Sequence, residues 1–298
     1  MSLPVVCPQC LAPLAAEDGR LACRGCARAF ADAGGIWTLT MGSSGPPGYD
    51  PHHYAPLADV EEEHYWFVSR RDCVLDALRR AVPDLAERAL FDIGCGTGSL
   101  LAYLARNGVP LAGGCDAYVE GLRLARTRVS APLFLVDEGR RPPLAAGQSL
   151  IGMFDVLEHI DEDEATLGWL HSVLRPGGVL ALTVPAHPFL WGEADLLAHH
   201  RRRYRRGELQ RKLHAAGFRI ERLTHFMATL AAPLALVRSL ERTWGLGRTS
   251  AAARRDAELR VTPVVNGLLL AVLGAERRWL GVGSFPFGSS LLAIARRE

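Results

Sequence analysis

A glycine-rich turn between an apolar run and a helical stretch constrains the fold of this chain more than any other feature. The run ends at Asp92, and glycine then occupies every second position of the turn, at Gly94, Gly96 and Gly98. Glycine permits a positive φ and leaves no Cβ between the backbone and a ligand. The helix that follows offers free N–H groups to an anionic or carboxylate-bearing ligand. The stretch therefore predicts a buried strand, a tight turn and a helix that together hold a ligand.

Dinucleotide-binding proteins also place glycines in such a turn, but with the spacing G-x-G-x-x-G. Here the spacing is G-x-G-x-G, with an acidic residue two positions before the first glycine. This version resembles the first motif of class I S-adenosylmethionine (SAM) dependent methyltransferases. The resemblance implies that SAM contacts Asp92, Gly94, Cys95, Gly96 and Gly98.

Two further strands end in acidic residues downstream of the turn. A carboxylate at Asp116 can accept both hydroxyls of a ribose, as in dinucleotide-binding folds, and the ring of Tyr118 can pack beside the adenine. In the family that the turn resembles, an acid at the position of Asp137 contacts the adenine amino group, whereas a surface-loop acid is the alternative. The cofactor-binding residues predicted from this region are Asp116, Ala117 and Tyr118, together with Asp137.

A fourth strand leads into the stretch Asp155-Val156-Leu157-Glu158-His159. This stretch closely resembles the D-V-L-E-H segment of the type 11 and type 12 methyltransferase families, and it adds Asp155 to the cofactor site. The acid-ended strands and a Pro-Gly-Gly turn at 176–178 follow one another at normal spacing. They predict an α/β fold with a Rossmann-like, seven-stranded class I methyltransferase sheet, a helical insert between strands six and seven, and a small zinc ribbon ahead of the sheet.

The predicted domain boundaries follow from composition. A zinc-ribbon module covers residues 1–40, and a linker rich in glycine, serine and proline covers 41–60. The SAM-dependent methyltransferase domain covers 61–298, and its insert or cap covers 224–284.

Four of the seven cysteines form two C-x-x-C pairs near the start of the chain. Two such pairs can supply four thiolates in a tetrahedron around Zn²⁺, with no open coordination position, so the predicted role is structural. Disulfides are the alternative, which a cytosolic location disfavours. The segment resembles zinc ribbons of some RNA-modifying methyltransferases, and similar ribbons also precede methyltransferases with small substrates. The predicted ligands are Cys7, Cys10, Cys23 and Cys26.

Several histidines follow the fourth and fifth strands, where ligands bind in open α/β sheets. Two segments, P-A-H at 185–187 and H-x-R-R-Y at 200–204, resemble one subgroup of these methyltransferases. Histidine suits the removal of a proton near neutral pH. The candidate catalytic residues are His159, His187 and His200, with Tyr204 as an orienting group. The candidate substrate-binding residues are Trp66, Arg70, Trp191, Arg202 and Arg203; for each of these sets, ordinary packing or a solvated basic face is the alternative.

The predicted insert contains two apolar stretches, Ala228–Val237 and Val264–Leu273, on either side of the polar segment Gly245–Arg260. Each stretch is too short to span a bilayer. A helical cap or a dimer surface is one interpretation, and peripheral docking on a membrane, with flanking arginines, is the other. No basic start followed by an apolar run is present at Met1–Pro13, so we expect a cytoplasmic protein.

The patterns favour SAM-dependent methyl transfer to a small-molecule or lipid-linked metabolite, at oxygen, nitrogen or carbon. An RNA methyltransferase that grips its substrate with the ribbon is the second hypothesis, and the formal net charge of +2 weakens it. A non-catalytic SAM-binding subunit is the third. The acids at positions 92, 116 and 137 argue against that last hypothesis.

Overall fold

The computed structural model describes residues 3–17, 20–42, 54–244 and 261–298. Two residues of the predicted ribbon turn, most of the predicted linker and the polar segment Gly245–Arg260 therefore lie outside the described residues.

The first part of the chain forms short strands and two helices. They are β1 (Leu14–Glu17), β2 (Arg20–Cys23), β3 (Ala29–Phe30), β4 (Ile36–Thr38), α1 (Tyr54–Val60) and α2 (Tyr65–Ala81). Strands and helices then alternate: β5 (Leu90–Ile93), α3 (Ser99–Arg106), β6 (Leu111–Asp116), α4 (Val119–Arg128), β7 (Leu133–Leu135), β8 (Gln148–Phe154), α5 (Asp163–Val173) and β9 (Leu174–Pro185). The remaining elements are α6 (Glu193–Leu197), α7 (Arg206–Ala215), β10 (Phe218–Phe226), α8 (Ala228–Trp244), α9 (Pro263–Leu280) and β11 (Ser290–Arg297).

The central sheet has the order β10-β11-β9-β8-β5-β6-β7-β4. Strands β4 to β9 run parallel, while β11 is antiparallel to both of its neighbours. The inner strands are mostly apolar, as expected for a parallel sheet that is covered on both faces, and all four residues of β5 are buried. The predicted class I sheet is confirmed, because strands β5 to β11 follow the expected order and direction.

The outermost strand differs from the prediction. β4 belongs to the segment assigned to the zinc ribbon, yet it pairs in parallel with β7, with Ile36 opposite Leu133. The N–H of Leu39 continues the pairing by donating to the carbonyl of Leu135 (2.8 Å). The edge of β7 would otherwise expose unpaired backbone groups. The ribbon segment forms a three-stranded sheet of its own, in the order β1-β2-β3, and its last strand, β4, also adds an eighth strand to the central sheet.

The predicted linker also differs, because its last residues form α1. Tyr54 at the start of this helix is buried. Immediately after the helix, the buried carboxylate of Glu61 accepts a hydrogen bond from the Thr97 hydroxyl (2.6 Å) and pairs with Arg128 (2.7 Å). These contacts attach α1 to the glycine turn, so the folded domain begins before residue 61.

The predicted insert consists, in its described part, of α8 and α9. Strand β10 reaches Phe226, two residues beyond the predicted start of the insert at 224. The buried carboxylate of Glu276 in α9 accepts N–H groups of Ala228 (2.9 Å) and Thr229 (3.1 Å) at the start of α8, an arrangement that suits the positive end of a helix dipole. None of the described helices combines the length and the apolar character that crossing a bilayer requires.

Candidate active site

The glycine turn lies between the ends of β5 and β6. Its backbone amides at Gly94 and Cys95 donate to the carbonyl of Cys115 (2.8 and 3.0 Å), which holds the turn against β6. Gly94, Gly96 and Gly98 all have positive φ, between +52° and +74°. A Cβ on Gly98 would lie 2.8 Å from the Cβ of Ala125 in α4. Both the conformation and the close approach therefore require glycine.

Asp116 at the end of β6 is buried beside this turn. Its carboxylate accepts N–H groups of Gly96 (2.8 Å) and Tyr118 (3.0 Å), with a backbone contribution from Ala117. The hydroxyl of Tyr54 in α1 lies 3.4 Å from Oδ1 of Asp116. Burial raises the pKa of Asp116, and the backbone hydrogen bonds oppose this shift. The turn and the carboxylate are thus held together as one polar cradle, covered by Tyr54.

Asp92 contributes a second buried carboxylate at the end of β5. Its Oδ1 atom has no hydrogen-bond partner among the described residues. Burial raises the pKa of Asp92 to about 7, with Arg70 lowering it and Asp116 raising it further. An acceptor left without a protein partner in a glycine cradle fits a ligand that brings a donor or a positive charge. The residues at this edge therefore fit SAM, which carries both.

The third predicted cofactor acid, Asp137, is already engaged within the chain. Its carboxylate accepts N–H groups of Met41 (2.8 Å) and Gly42 (3.3 Å), just beyond β4. These bonds link the ribbon segment to the end of β7, and the adenine contact stays a prediction. The nearby hydroxyl of Tyr118 donates to Glu138 (3.1 Å).

Asp155 follows β8 with a φ of +56°. Its carboxylate forms an ion pair with Arg70 of α2, and Arg70 also donates to the carbonyl of Phe154 (2.8 Å). The guanidinium lies 5.4 Å from the ring of Trp66. Arg70, Trp66 and Asp155 therefore meet at the carboxyl end of the sheet, and their contacts with cofactor or substrate stay a prediction.

Two of the three candidate histidines come together. The rings of His159 and His200 pack edge to face with centroids 4.9 Å apart. Nδ1 of His200 lies 2.8 Å from Oδ1 of Asp195, and its Nε2 lies 3.8 Å from Oε1 of Glu158. Burial, followed by the neighbouring His200, lowers the pKa of His159 to about 4.

Glu158 is fully buried, and neither of its carboxylate oxygens has a hydrogen-bond partner among the described residues. Burial, followed by the charge of Asp155, raises the pKa of Glu158 well above its usual value. The N–H of Arg201 donates to the Glu158 carbonyl (2.8 Å) and so fixes the His200 loop beside this carboxyl group. Glu158, His159 and His200 offer ligand atoms within 4.8 Å of one another, a group that could hold a metal ion.

The third histidine, His187, lies in an aromatic stack. Its ring is parallel to that of His225 (5.0 Å between centroids) and packs against Phe287 (4.5 Å). Burial lowers the pKa of His187, and His225 lowers it further. Trp191 follows the turn Pro188–Leu190 directly and is half-buried.

Tyr204 and its two arginine neighbours have structural partners. The hydroxyl of Tyr204 is in the core and donates to Asp163 (2.8 Å), so it does not orient a histidine as predicted. Arg202 pairs with Asp163 (3.2 Å) and Arg203 with Asp195 (2.7 Å). The arginine cluster at this position therefore neutralises buried carboxylates, and any substrate contact by these two residues stays a prediction.

The four ribbon cysteines form a cluster whose sulfur atoms all lie within 4.8 Å of one another. Two of the distances are 3.8 Å for Cys7–Cys26 and 3.4 Å for Cys10–Cys23. Zinc–sulfur bonds of about 2.3 Å in a tetrahedron place sulfur atoms at a similar separation. Cys23 Sγ also accepts N–H groups of Gly25 (3.3 Å) and Cys26 (3.4 Å), which suits a thiolate. The residues present therefore fit Zn²⁺.

Sequence reasoning missed Asp195, Glu61 and Tyr54. Asp195 stands five residues before His200 in a loop and a short helix, where no periodicity marks it. Tyr54 is the first residue of α1, inside the segment 41–60 whose composition indicates a linker. Glu61 follows that segment directly. The acid–histidine pairing in one loop was the only available signal for Asp195.

A glycine turn followed by acid-ended parallel strands in this order defines the class I SAM-dependent methyltransferase fold. Residues 54–223 match the model of a family described as a methyltransferase domain. The chain belongs to this family. The match starts at the first residue of α1, in agreement with the contacts that attach this helix to the glycine turn.

Individual relatives are similar to this chain over only part of its length. A probable S-adenosylmethionine-dependent methyltransferase of Mycolicibacterium smegmatis is 32% identical over 173 residues, which are 55% of this chain and 63% of that protein. An uncharacterized methyltransferase of Mycobacterium tuberculosis is 34% identical over 118 residues, 39% of this chain and 59% of that protein. The chain thus spans less than two-thirds of the length of these relatives. The crystal structure of a SAM-dependent methyltransferase from Mesorhizobium loti has a TM-score of 0.47 and 18% identity, covering 74% of this chain and 96% of that one.

Proposed function

We propose that this chain transfers a methyl group from SAM to an oxygen, nitrogen or carbon atom of a small-molecule or lipid-linked metabolite, with His200 as the proton acceptor where the substrate carries a proton. The observation that carries the proposal is the cradle formed by the glycine turn, Asp116 and Asp92, whose Oδ1 has no hydrogen-bond partner among the described residues. The His200–Asp195 pair supports it, because it follows a neighbouring strand at the same edge of the sheet.

The cofactor would be held by residues at the ends of β5 and β6. The glycine turn would lie against it without an intervening Cβ, Asp116 would accept its ribose hydroxyls and Asp92 would take up a donor from its amino-acid part. SAM supplies a methyl group on a positively charged sulfur, and the sulfur leaves as a nucleophile bonds to the methyl carbon from the opposite side. The chain would align the nucleophile and remove its proton.

His200 is the best supported of the three candidate histidines. The carboxylate of Asp195 holds its Nδ1 and leaves Nε2 as the atom that accepts a proton. His159 is a weaker acceptor, because burial lowers its pKa to about 4. His187 has aromatic rings as its neighbours and a lowered pKa. Asp195 is a positioning residue in this proposal.

A small or lipid-linked substrate is favoured over RNA by the charges of the ribbon. Its described arginines are Arg20, Arg24 and Arg28, and Arg28 donates to Gln9 (3.1 Å) and lies over the Phe30 ring. Binding to RNA depends on several cationic contacts with phosphates. We propose instead that the ribbon is structural, with Zn²⁺ held by the four cysteines, because it completes the sheet through β4.

The test uses the zinc-loaded protein, methyl-labelled SAM and separated RNA, lipid and small-metabolite fractions of the source cell. Asp116→Ala serves as the cofactor-site control. Label in the lipid or small-metabolite fraction that is lost in Asp116→Ala supports the proposal. Label in RNA contradicts it, and the absence of label despite tight SAM binding favours a non-catalytic subunit. A chelator added to the finished assay, with and without Mg²⁺ or Zn²⁺, shows whether the Glu158–His159–His200 group works through a metal ion instead.

A further inference from the structure

Two helices of the insert carry a concentration of exposed apolar side chains. Most of the large exposed apolar residues among those described belong to α8, to α9 or to the turn directly after α9. They are Leu236, Val237, Leu240, Val264, Val265, Leu268, Val272, Trp279 and Val282. We call this set the insert face. The two helices contact each other, and such a concentration of exposed apolar side chains indicates contact with a partner or a membrane.

The insert face follows the helical repeat along α9. Val264, Leu268, Val272 and Trp279 are spaced by four, four and seven residues, so they lie along one side of the helix. Val264 is 84% exposed, Leu268 65% and Trp279 56%. The buried residues of this helix, Leu273, Glu276 and Leu280, pack toward the domain. The helix therefore presents one apolar side to the domain and a second one outward.

One end of the insert face is cationic. Arg278 is exposed beside Trp279. Arg80 donates to the carbonyl of Gly281 (2.8 Å), and Arg222 donates to those of Leu280 (2.5 Å) and Gly283 (3.3 Å). Among the described residues, Arg80 and Arg222 donate their hydrogen bonds to these carbonyl groups. Burial, followed by the charge of Arg80, lowers the pKa of Arg222. An anionic group at this end would relieve that repulsion.

We propose that the insert face docks on the surface of a lipid bilayer that contains anionic phospholipids. The valine and leucine side chains would enter the boundary between headgroups and acyl chains, and Trp279 would lie at headgroup level. Arg80, Arg222 and Arg278 would face the lipid phosphates. The charge complementarity between this cationic end and anionic headgroups favours a bilayer over a second copy of the chain, which would bring the same cationic end.

The position of the insert face connects docking with the site. Helix α8 contacts the turn Pro188–Leu190, which follows His187, and the side chain of Arg238 in α8 packs closely against Gly192. The segment that leads into α6 and Asp195 therefore packs against a helix that would lie on the membrane. This inference deepens the proposed function, because it favours a lipid-linked substrate. The purpose of docking rests on the proposed function, whereas docking itself does not.

The test is flotation of the full chain with vesicles of phosphatidylcholine alone and of phosphatidylcholine with phosphatidylglycerol. We expect flotation with the anionic vesicles. The triple variant Val264→Ser, Leu268→Ser, Trp279→Ser should lose at least about tenfold in partitioning, since each buried apolar group contributes. Arg278→Gln should lose roughly fivefold on anionic vesicles and little on neutral ones. Leu268→Ser alone is compared with its matched control Leu11→Ser, because Leu11 is 71% exposed but belongs to the ribbon; the control should float like the wild type.

The proposal is overturned if the wild-type protein floats with neither kind of vesicle. A dimer in sedimentation velocity that the triple variant dissociates also overturns it, because the insert face would then belong to a second copy of this chain. SAM binding is measured on the same samples. If the wild-type protein binds SAM but does not float, only the docking proposal is rejected. If the wild-type protein does not bind SAM, the proposed function is rejected.

Discussion

Nδ1 of His200 lies 2.8 Å from Oδ1 of Asp195, and the same oxygen accepts Nε–H of Arg203 at 2.7 Å. Asp195 is fully buried, and burial alone would raise the pKa of its carboxyl group. The hydrogen bonds from His200 and Arg203 outweigh burial, so the pKa of Asp195 lies below its usual value. The carboxylate is therefore charged at neutral pH, and it fixes both the orientation and the tautomer of His200.

If His200 accepts the substrate proton, His200→Gln should lower kcat by about 100-fold or more, the usual contribution of a general base. Asp195→Asn should lower kcat by a smaller factor, because the imidazole remains but its tautomer is no longer imposed. The Kd for SAM should stay unchanged in both variants. Steady-state kinetics with calorimetric SAM binding measures these effects.

His187→Gln is the matched control for this prediction, and it should retain most of the kcat. A kcat of His200→Gln close to that of the wild type, in a folded protein, would exclude His200 as the base. Thermal unfolding of each variant separates a loss of catalysis from a loss of folded protein.

The raised pKa of Asp92 predicts that SAM binding depends on pH. Because burial raises this pKa to about 7, the ligand-free carboxyl group is protonated below that pH. A positively charged ligand favours the carboxylate, so binding should release a proton and tighten as pH rises from 6 to 8. Calorimetry in buffers of different ionisation enthalpy measures the released proton. Asp92→Asn should bind SAM more weakly and without this pH dependence; an unchanged pH dependence in the variant would assign the proton to another group.

The same raised pKa has a consequence for stability in the absence of ligand. The folded protein retains the Asp92 proton at pH values where the unfolded chain has lost it. The contribution of Asp92 to the free energy of unfolding should therefore decrease as pH rises from about 4 toward 7. Urea unfolding of the wild type and Asp92→Asn across this range tests this. The free energy of unfolding of the variant minus that of the wild type should increase with pH. A constant difference would contradict the prediction.

The packing of Gly98 predicts a cost that its backbone conformation alone does not explain. Gly98 has a φ of +72°, and an added Cβ would lie 2.9 Å from the Cα of Ala125. Gly108 has a φ of +86° with no atom within 4 Å of the added Cβ. Gly108→Ala should therefore lower the free energy of unfolding by about 1 kcal/mol, the cost of the backbone conformation. Gly98→Ala should cost more, about 2–4 kcal/mol, and weaken SAM binding.

Urea unfolding and SAM titration of the two glycine variants provide the comparison. Equal losses of stability would mean that α4 moves away from the turn without cost, which would contradict the tight packing between them.

The hydrogen bond of Tyr204 predicts a structural effect and no catalytic one. Its hydroxyl donates to Asp163, which Lys212 also contacts at 2.6 Å. Tyr204→Phe should lower the free energy of unfolding by about 1 kcal/mol, the net contribution of one hydrogen bond. We expect kcat to stay near that of the wild type. A large fall in kcat with unchanged stability would restore the role of Tyr204 as an orienting group.

If the four ribbon cysteines hold Zn²⁺ as proposed, removal of the metal should affect the cofactor site as well as the ribbon. The strand β4 continues into Met41 and Gly42, whose amides bind Asp137. Cys23→Ser should abolish zinc binding, lower the melting temperature and weaken SAM binding. Elemental analysis, thermal unfolding and SAM titration measure the three effects. Cys73→Ala is the control, because this buried cysteine lies in α2 and should leave the zinc content unchanged; normal SAM binding by zinc-free protein would contradict the link.

Much of the architecture could be predicted from local patterns. The glycine turn, the acid at the end of each strand and the two cysteine pairs depend on residues that are close in the chain. The turn requires positive φ at fixed positions, and buried parallel strands require continuous apolar runs. These demands appear directly in the residue order, which is why strands β5 to β11 were predicted in their observed sequence.

The arrangement of the site depended on contacts between distant segments. His200 and Tyr204 belong to one motif, but packing places the first beside Asp195 and Glu158 and the second in the core with Asp163. Residue types alone do not distinguish these two environments, since both motif members suit catalysis equally well.

The sequence by itself determined the class of fold, the glycine turn and the cysteine cluster, because each rests on backbone conformation or ligand spacing within a short stretch. Only the tertiary structure decided that β4 completes the sheet, that α1 covers the cradle, and which carboxylate each histidine and arginine meets. Those outcomes follow from which buried polar groups can satisfy one another once the sheet has formed, and this depends on distances that no local pattern encodes.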